Sequence, residues 1–411
     1  MRIAILAVVI TTFATATLAG PGAGAIVQAF NTDAASEGMG GGSSSVWWHA
    51  APDPWGNPAM LGYHNGVSYH HMYSQLAAGL ADDIEITSDR LTLGWGGFGV
   101  MIQAGPVDTY LDMGTQMATD EEGNVQGTVD SFEESTGLGL GFSTAGVLRK
   151  LRPESKSLNL LARHFDLAAG MVRKSYESEL VGDGNLQDLS GGSATATMTD
   201  YGVLARASLY NSLDGPGLLP EFDRAIYPVI SGWRVTAAYG RSWLNWGDDM
   251  IDYEGANQAD PMPREYRSGK SLRLEVGLPG ALKDNMPEVV AEMLSPMIAV
   301  SKSWEDRWPG YVWDNDANVY RYEEDESDDF LEEMDGWELT VLGLVSVRGG
   351  HTKVEYGDID GDTEGWGVHL NLAGVQARYD HATVPQATGL RTVDRESWSV
   401  VVDVMRLLDR D

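Results

Sequence analysis

Apolar and polar residues alternate with a period of two along much of the chain, which is the pattern of β-strands with two unlike faces. In the segment Ser271 to Leu278 every second residue is Leu or Val, and the positions between them include Arg273 and Glu275. The segment Gly232 to Trp243 repeats the pattern, with Arg241 as its one exception. Four more alternating segments follow in the C-terminal third, beginning at Trp337, Trp366, Val375 and Trp398.

The length of these runs favours strands that cross a bilayer. A tilted membrane strand needs about nine to eleven residues, whereas strands of globular proteins more often have about five or six. Charged residues near the strand centres, such as Arg273 and Arg378, suit a polar lumen. Tryptophans near the predicted strand ends suit an interfacial girdle: Trp233, Trp243, Trp337, Trp366 and Trp398.

The fold class predicted is therefore all-β, an antiparallel transmembrane β-barrel with about a dozen strands recognisable in the pattern. The further strands are expected at Tyr63 to Tyr73, Leu91 to Ala104, Gly137 to Val147, Phe165 to Tyr176, Thr197 to Tyr210 and Met297 to Trp304. Stretches rich in acid, Gly and Pro are expected to be loops: Asp120 to Glu134, Gly182 to Gly192, Trp246 to Gly269 and Tyr322 to Asp335.

One short loop helix is expected at Asn285 to Leu294, with Asn285 as its cap and Pro296 after its end. Its apolar face would consist of Val289, Val290, Met293 and Leu294. Two interpretations remain open: the helix covers the mouth of the barrel, or these four residues form a ligand-entry site.

The first nineteen residues have the form of a secretory signal peptide. Arg2 is followed by an apolar stretch, and Thr17-Leu18-Ala19 supplies small residues for cleavage after Ala19, with Ala25 as a second choice. An N-terminal membrane anchor is the alternative interpretation. No other segment reaches the roughly 18 apolar residues that a transmembrane helix needs. A mature chain that crosses a membrane must therefore do so as a closed barrel.

The formal net charge is −32, with 60 acidic and 28 basic side chains. Such a surface repels phosphate backbones, so no nucleic-acid partner is expected. Nine acids between Tyr322 and Asp335 indicate a solvated loop, with a divalent-cation site as the alternative. The chain contains no Cys, which excludes disulfides and thiolate catalysis.

No catalytic or metal-binding constellation is found, so the protein is not expected to be an enzyme, and neither a metal nor a cofactor is expected. The acidic run from Asp358 to Asp362 fails the calcium-loop pattern because Thr363 and His369 stand where Gly and Glu are required. A hairpin turn is the better interpretation of this run. His70 and His71 are neighbours and cannot face one site on a strand.

The stretch from Ala34 to Leu61 is unlike the rest. It contains the small-residue sequence from Ala34 to Gly42 and then Trp55-Gly56-Asn57-Pro58-Ala59-Met60-Leu61. A Gly-rich stretch forms neither a stable strand nor a stable helix alone, but irregular backbone can lie inside a protected lumen.

These motifs resemble the N-terminal plug signature of the FadL-type outer-membrane transporters, and more closely that of their PorV/PorQ-like relatives. Two C-terminal segments, Thr363 to Val368 and Arg378 to Ala387, resemble late hairpins of the second group. The resemblance implies a barrel of about 14 strands in the outer membrane, in residues 62–411, with a plug in residues 20–61. It implies Asn57, Pro58 and Ala59 as the plug motif. Alternatively, the tripeptide makes only a tight turn.

The resemblance offers two functions. The first is transport of small hydrophobic molecules, for which Met60, Met101 and Met171 could line a path or could equally face lipid. The second is a PorV-like accessory role in protein secretion, with a secreted protein as partner. In both, outer-membrane lipid surrounds the barrel. A soluble periplasmic β-protein is the third alternative, and it would show shorter strands and no aromatic belt.

Overall fold

The computed structural model describes most of the chain. The described residues are 24–49, 51–77, 83–119, 125–151, 154–182, 193–212, 232–248, 250–252, 259–279, 282, 284–310, 312–314, 319–321, 331–354, 359–372, 374–387, 390–404 and 407. The expected signal peptide lies outside these residues, as do most of the expected loop Gly182 to Gly192 and residues 322–330 of the acidic run.

The chain folds into a closed antiparallel β-barrel with 14 strand positions. Strand β1 pairs with β2 on one side and with β19 on the other, which closes the sheet. Two small hairpins, β9–β10 and β13–β14, stand apart from the wall. The strands are β1 Gly66–Gln75, β2 Glu85–Trp95, β3 Phe98–Gln103, β4 Thr109–Thr119, β5 Val125–Ser143, β6 Phe165–Gly182, β7 Ala194–Ser212, β8 Gly232–Gly247, β9 Met250–Asp252, β10 Ala259–Pro261, β11 Glu265–Val276, β12 Ile298–Pro309, β13 Val312–Asp314, β14 Val319–Arg321, β15 Glu332–Val341, β16 Val345–Val354, β17 Ile359–Leu372, β18 Val375–Val384 and β19 Val393–Val402.

Strands β3 and β4 share one position in the wall, because both lie between β2 and β5. Residues 104–108 separate them, and the break is spanned on the inside by Gln103, whose amide donates to the Asp89 carbonyl at 2.7 Å. Counting β3 and β4 as one strand gives 14 strands in the wall, which is the number that the sequence resemblance implies.

The two ends of the barrel differ. The connections β2–β3, β15–β16 and β17–β18 are short, and we call their side the turn end. The hairpins β9–β10 and β13–β14 lie at the opposite side, the loop end. The turn end also carries the helices Thr144–Leu151, Lys156–His164 and Glu288–Met293.

The outward face of the wall carries an apolar belt. On β17 Val368, Leu370 and Leu372 are exposed, while the intervening His369 and Asn371 are buried inside. This arrangement reverses that of a water-soluble protein and is the one that surrounding hydrocarbon requires. The alternation predicted from the sequence is therefore confirmed, with its apolar face outside. Among the described helices, none combines the length and the apolar character needed to span a bilayer.

Three of the predicted girdle tryptophans mark the edge of the belt instead of the strand ends, whereas Trp233 is exposed at the second position of β8, near a strand end as predicted. Trp337, Trp366 and Trp398 are exposed near the middle of β15, β17 and β19. Beyond Trp366, towards the loop end, the outward positions of β17 carry the exposed acids Asp360, Asp362 and Glu364. The strands thus continue past the belt, where both faces can be polar and the alternation used for prediction disappears.

Several expected boundaries are wrong for this reason. The expected loops Asp120 to Glu134, Trp246 to Gly269 and Tyr322 to Asp335 all overlap strands, namely β5, β8 to β11 and β15. Most of the acidic run from Asp358 to Asp362 opens β17 instead of forming a turn.

Two further boundaries differ because local signals were missed. The strand expected at Leu91 to Ala104 is a hairpin, since Gly96 and Gly97 both take positive φ between β2 and β3. The strand expected at Gly137 to Val147 ends at Ser143. There the Asp166 carboxylate accepts from the Ala145 amide at 2.8 Å, and the helix Thr144–Leu151 begins.

The expected loop helix is present but shorter, at Glu288–Met293. Its buried residues are Ala291 and Glu292, whereas Val289, Val290, Met293 and Leu294 are only half-buried. The face that packs against the barrel is therefore not the face that the apolar pattern selected. The helix contacts β17 at the turn end.

We expect the substitution Leu370→Arg to destabilise the barrel in lipid vesicles by about 2–4 kcal/mol, because it places a cation in the belt facing hydrocarbon. Reversible unfolding by denaturant in vesicles measures the loss. The control is Glu364→Arg on the same outward face of β17, beyond Trp366, where we expect a cost of about 0–1 kcal/mol. Equal losses at both positions would contradict the placement of the belt.

Candidate functional site

A segment of irregular backbone fills the interior of the barrel. Residues 24–63, which we call the plug segment, run from the loop end to the turn end and lead into β1. Every described residue from Phe30 to Gly62 is buried. At the loop end the Gly24 amide donates to the carbonyl of Pro261, the last residue of β10, at 3.0 Å.

A row of glycines makes room for the plug segment. Gly94, Gly99, Gly141, Gly170 and Gly202 are direct partners on consecutive strand positions from β2 to β7. At the last four of them a Cβ atom would overlap the plug segment; at Gly170, for example, it would meet the Pro58 carbonyl oxygen. At Gly94 it would overlap the His64 carbonyl, directly after the plug segment. A Cβ atom would also overlap the plug segment further round the wall at two more pairs: Gly240 with Gly269 on β8 and β11, and Gly336 with Gly350 on β15 and β16. The wall is therefore shaped to take a backbone at close range.

Barrel side chains hydrogen-bond the backbone of the plug segment. The Glu305 carboxylate accepts from the amides of Ser43 and Ser44 at 2.9 and 2.6 Å. Thr363 accepts from the Gly40 amide at 2.9 Å, and Arg395 donates to the Asn31 carbonyl at 3.2 Å. Such bonds replace the secondary structure that this stretch lacks, because buried backbone groups need partners.

The polar inward face carries a chain of ion pairs with alternating sign across five strands. Arg273 lies 3.1 Å from Glu275 and 3.2 Å from Glu338, and Arg348 lies 2.7 Å from Glu338 and 2.9 Å from Asp380. The chain is extended by Arg234 at the Glu275 end and by Arg378 at the Asp380 end. All seven side chains are buried, so each charge depends on its neighbours for compensation.

The plug segment docks onto the centre of this chain. The indole of Trp48 donates to Glu338 at 2.9 Å, and His49 lies between Glu338 and Asp33, at 3.4 and 3.3 Å. Burial alone would raise the pKa of Asp33, but the hydrogen bond and charge of His49, together with Arg378, hold it well below its usual range. Asp33 thus contributes a further negative charge beside the arginines.

The predicted plug motif lies where the segment meets β6 and β7. Asn57 precedes the 3-10 helix Pro58–Tyr63 and accepts from the Ala59 amide at 3.0 Å. Its amide group donates to the Ser44 carbonyl at 2.7 Å and to the Val203 carbonyl of β7 at 3.1 Å. Asn57 therefore joins two parts of the plug segment to the wall. The tripeptide does make a tight turn. In addition, the Asn57 side chain bonds to Ser44 of the plug segment and to Val203 of the wall, which a turn alone does not require.

At the loop end the interior changes from charged to apolar. The start of the plug segment inserts Val27 and Phe30 into an apolar chamber, which is formed by Ala25, Val27, Phe30, Met72, Leu76, Ile86, Leu111, Met113, Tyr176, Ala194, Ala196, Met198, Ile251 and Met262. All of these residues are buried. The chamber is thus occupied by the chain itself.

The chamber was missed in the sequence. Met60 and Met101, expected to line a path, are buried elsewhere in the interior, and Met171 is exposed on the outward face. The half-buried residues Val289 and Met293 lie at the turn end, on the helix Glu288–Met293, and do not line the chamber. One signal in the sequence could have indicated the chamber: the apolar residues Ala194, Ala196 and Met198 alternate with Thr and share one face of a strand.

Within the residues that the structure describes, no group of three or more His, Asp or Glu side chains has the geometry to hold a metal ion.

Comparisons with known proteins give structures but no sequence match. No protein-family model and no curated protein matches the chain. The toluene transporter TbuX of Ralstonia pickettii is 9% identical, with 89% of this chain and 96% of that chain covered and a TM-score of 0.40. A FadL homologue of Pseudomonas aeruginosa is 10% identical, with coverage of 94% and 100% and a TM-score of 0.39.

The Pseudomonas putida toluene transporter TodX is 10% identical, with coverage of 90% and 97% and a TM-score of 0.37. Likenesses at this level establish neither a shared family nor a shared ligand. None of these three structures supports the expected resemblance to the PorV/PorQ-like group.

We expect Gly170→Ala to displace the plug segment, because the new methyl group would overlap the Pro58 carbonyl oxygen. Overpacking of this kind costs about 1–3 kcal/mol. In vesicles containing the purified barrel, a small sugar such as arabinose should then enter faster, as measured by osmotic swelling.

The matched control is Gly137→Ala on the neighbouring strand β5. A Cβ at Gly137 would have its nearest neighbour at 3.4 Å, which is an ordinary contact, so the swelling rate should stay at the wild-type value. A wild-type rate for Gly170→Ala would show that the plug segment does not depend on the glycine row.

Proposed function

We propose that this protein is an outer-membrane channel that passes small hydrophobic molecules. The closed barrel with an apolar belt supports a membrane location. The solved structures reported above include transporters of toluene, which is consistent with this class of cargo.

The apolar chamber at the loop end carries the proposal. The walls of water-filled porins are polar, whereas this chamber is formed by buried aliphatic, Met and aromatic side chains. A site for an apolar molecule needs this kind of surface, since binding is driven by removing apolar area from water. The part of the plug segment that fills the chamber has the same apolar chemistry as the proposed cargo.

We further propose that the plug segment is the barrier to free diffusion and that the motif Asn57, Pro58 and Ala59 holds it in place. The three hydrogen bonds of Asn57 support this role. We retain the half-buried residues Val289, Val290, Met293 and Leu294 of the helix at the turn end only as a second candidate contact for ligand, on the side away from the chamber.

A role as an accessory in protein secretion is not favoured. It rests on the resemblance to the PorV/PorQ-like group, and no contact among the described residues supports it.

Uptake of a hydrophobic probe tests the proposed function. In cells that make the protein, we expect N-phenyl-1-naphthylamine fluorescence to rise several-fold faster than in cells with an empty vector. The substitution Ala196→Phe should abolish the increase, because it fills the chamber. Its control is Thr195→Phe, one residue away and facing outward, which should keep wild-type uptake. Identical uptake with and without the protein would refute the proposal.

The substitution Asn57→Ala tests the plug motif. It leaves the Ala59 amide and the Ser44 and Val203 carbonyls without this partner, at a cost of about 1–3 kcal/mol for each buried group left unpaired. We expect faster entry of arabinose into vesicles. Asn57→Asp can still accept from Ala59 but places a buried carboxylate against the Ser44 and Val203 carbonyl oxygens, so its swelling rate should be at least that of Asn57→Ala. An unchanged rate in both variants would remove the motif from the barrier.

A further inference from the structure

The carboxylate of Glu133 lies against the apolar chamber. Glu133 on β5 is buried, and its Oε2 accepts from the Val27 amide at 2.7 Å. The Ile26 amide and the Tyr176 hydroxyl are further hydrogen-bond partners of the same carboxylate. The plug segment is therefore held in the chamber by two kinds of contact, apolar side chains against the wall and backbone N–H donors on Glu133.

An acid in apolar surroundings is stable only when donors surround it. When residues 25–30 leave the chamber, Glu133 loses the two amide donors and keeps only Tyr176. A ligand that takes the place of the segment must then supply a donor of its own, or it leaves a buried carboxylate undersatisfied.

The charges around Glu133 also select against acids. Among the described residues no Lys or Arg forms an ion pair with Glu133. Arg395 contacts the chamber at the Phe30 ring, 5.6 Å from its centroid, and is itself paired with Glu37. Asp260 on β10 is a second negative charge beside Glu133. A ligand with an ionised carboxylate would bring a third negative charge into the same apolar space.

We propose that the chamber binds apolar molecules that carry a hydroxyl group, such as medium-chain alcohols and alkylphenols, and discriminates against the corresponding carboxylates, with Glu133 as the specificity-determining residue. This inference rests on the proposed function, since it names the class of hydrophobic cargo. The ligand hydroxyl takes the position of the Val27 amide, and its chain takes the position of the apolar side chains of the plug segment.

Direct binding of radiolabelled 1-decanol and decanoate to the purified full-length protein in detergent at pH 8 tests the proposal. We expect wild type to bind decanol at least about tenfold more tightly, the scale of one charge-assisted hydrogen bond. In Glu133→Gln the ratio should fall to within about threefold, because the amide still accepts from the hydroxyl but no longer repels decanoate. Mobility on unheated gels verifies that each variant is folded.

The control is Glu134→Gln, the next residue on β5, whose half-buried side chain faces the other side of the wall. It should keep the wild-type ratio. Equal affinities in wild type, or an unchanged ratio in folded Glu133→Gln, would overturn the role of Glu133 while leaving a hydrophobic-cargo channel intact. If wild type bound neither ligand, the proposed function itself would fail, and this inference with it.

Discussion

The architecture depends on one constraint, which is that a long irregular backbone is buried inside a barrel. Such a backbone has no ladder of its own, so its amides and carbonyls must be matched by the wall. The wall does this in two ways: glycines at Gly170, Gly202 and their neighbours allow close approach, and side chains such as Glu305 accept from exposed amides. The polar face of each strand is therefore a complement to the plug segment as much as a lining for solvent.

The alternating ion pairs follow from the same constraint. A buried charge is costly unless it is paired, and a single isolated pair repays its desolvation poorly. Linking Arg273, Glu338 and Arg348 into one chain lets each carboxylate serve two arginines, and it leaves donors and acceptors for Trp48 and His49. Specificity is the clearer benefit, since Trp48 and His49 reach Glu338 only when the plug segment lies in this register.

The barrel could be predicted from the sequence, but the contacts in its interior could not. Alternation in segments such as Ser271 to Leu278 follows from a wall with two unlike surroundings, so the fold class and the outward face could be read locally. The strand ends could not be predicted in this way, because beyond Trp366 both faces of the strand meet polar surroundings and the alternation stops. Asn57 stood out by its motif. The pairing of Gly170 with Gly202, and the meeting of Val27 with Glu133 over more than a hundred residues, arise only from closure of the barrel.

If the chamber takes a ligand as proposed, the levels of these features along the barrel set the order in which the ligand meets them. Beside the chamber residue Ala196, the outward neighbours Thr195 and Thr197 are polar and exposed, so the chamber stands above the apolar belt. Beside Gly202, the outward neighbours Tyr201 and Val203 belong to the belt. An apolar molecule in the chamber is therefore shielded from water by protein before it reaches the level of the hydrocarbon. The glycine row is the next barrier, and a shift of the plug segment past it also requires Met60 and Leu61 to leave the apolar clusters in which they are buried.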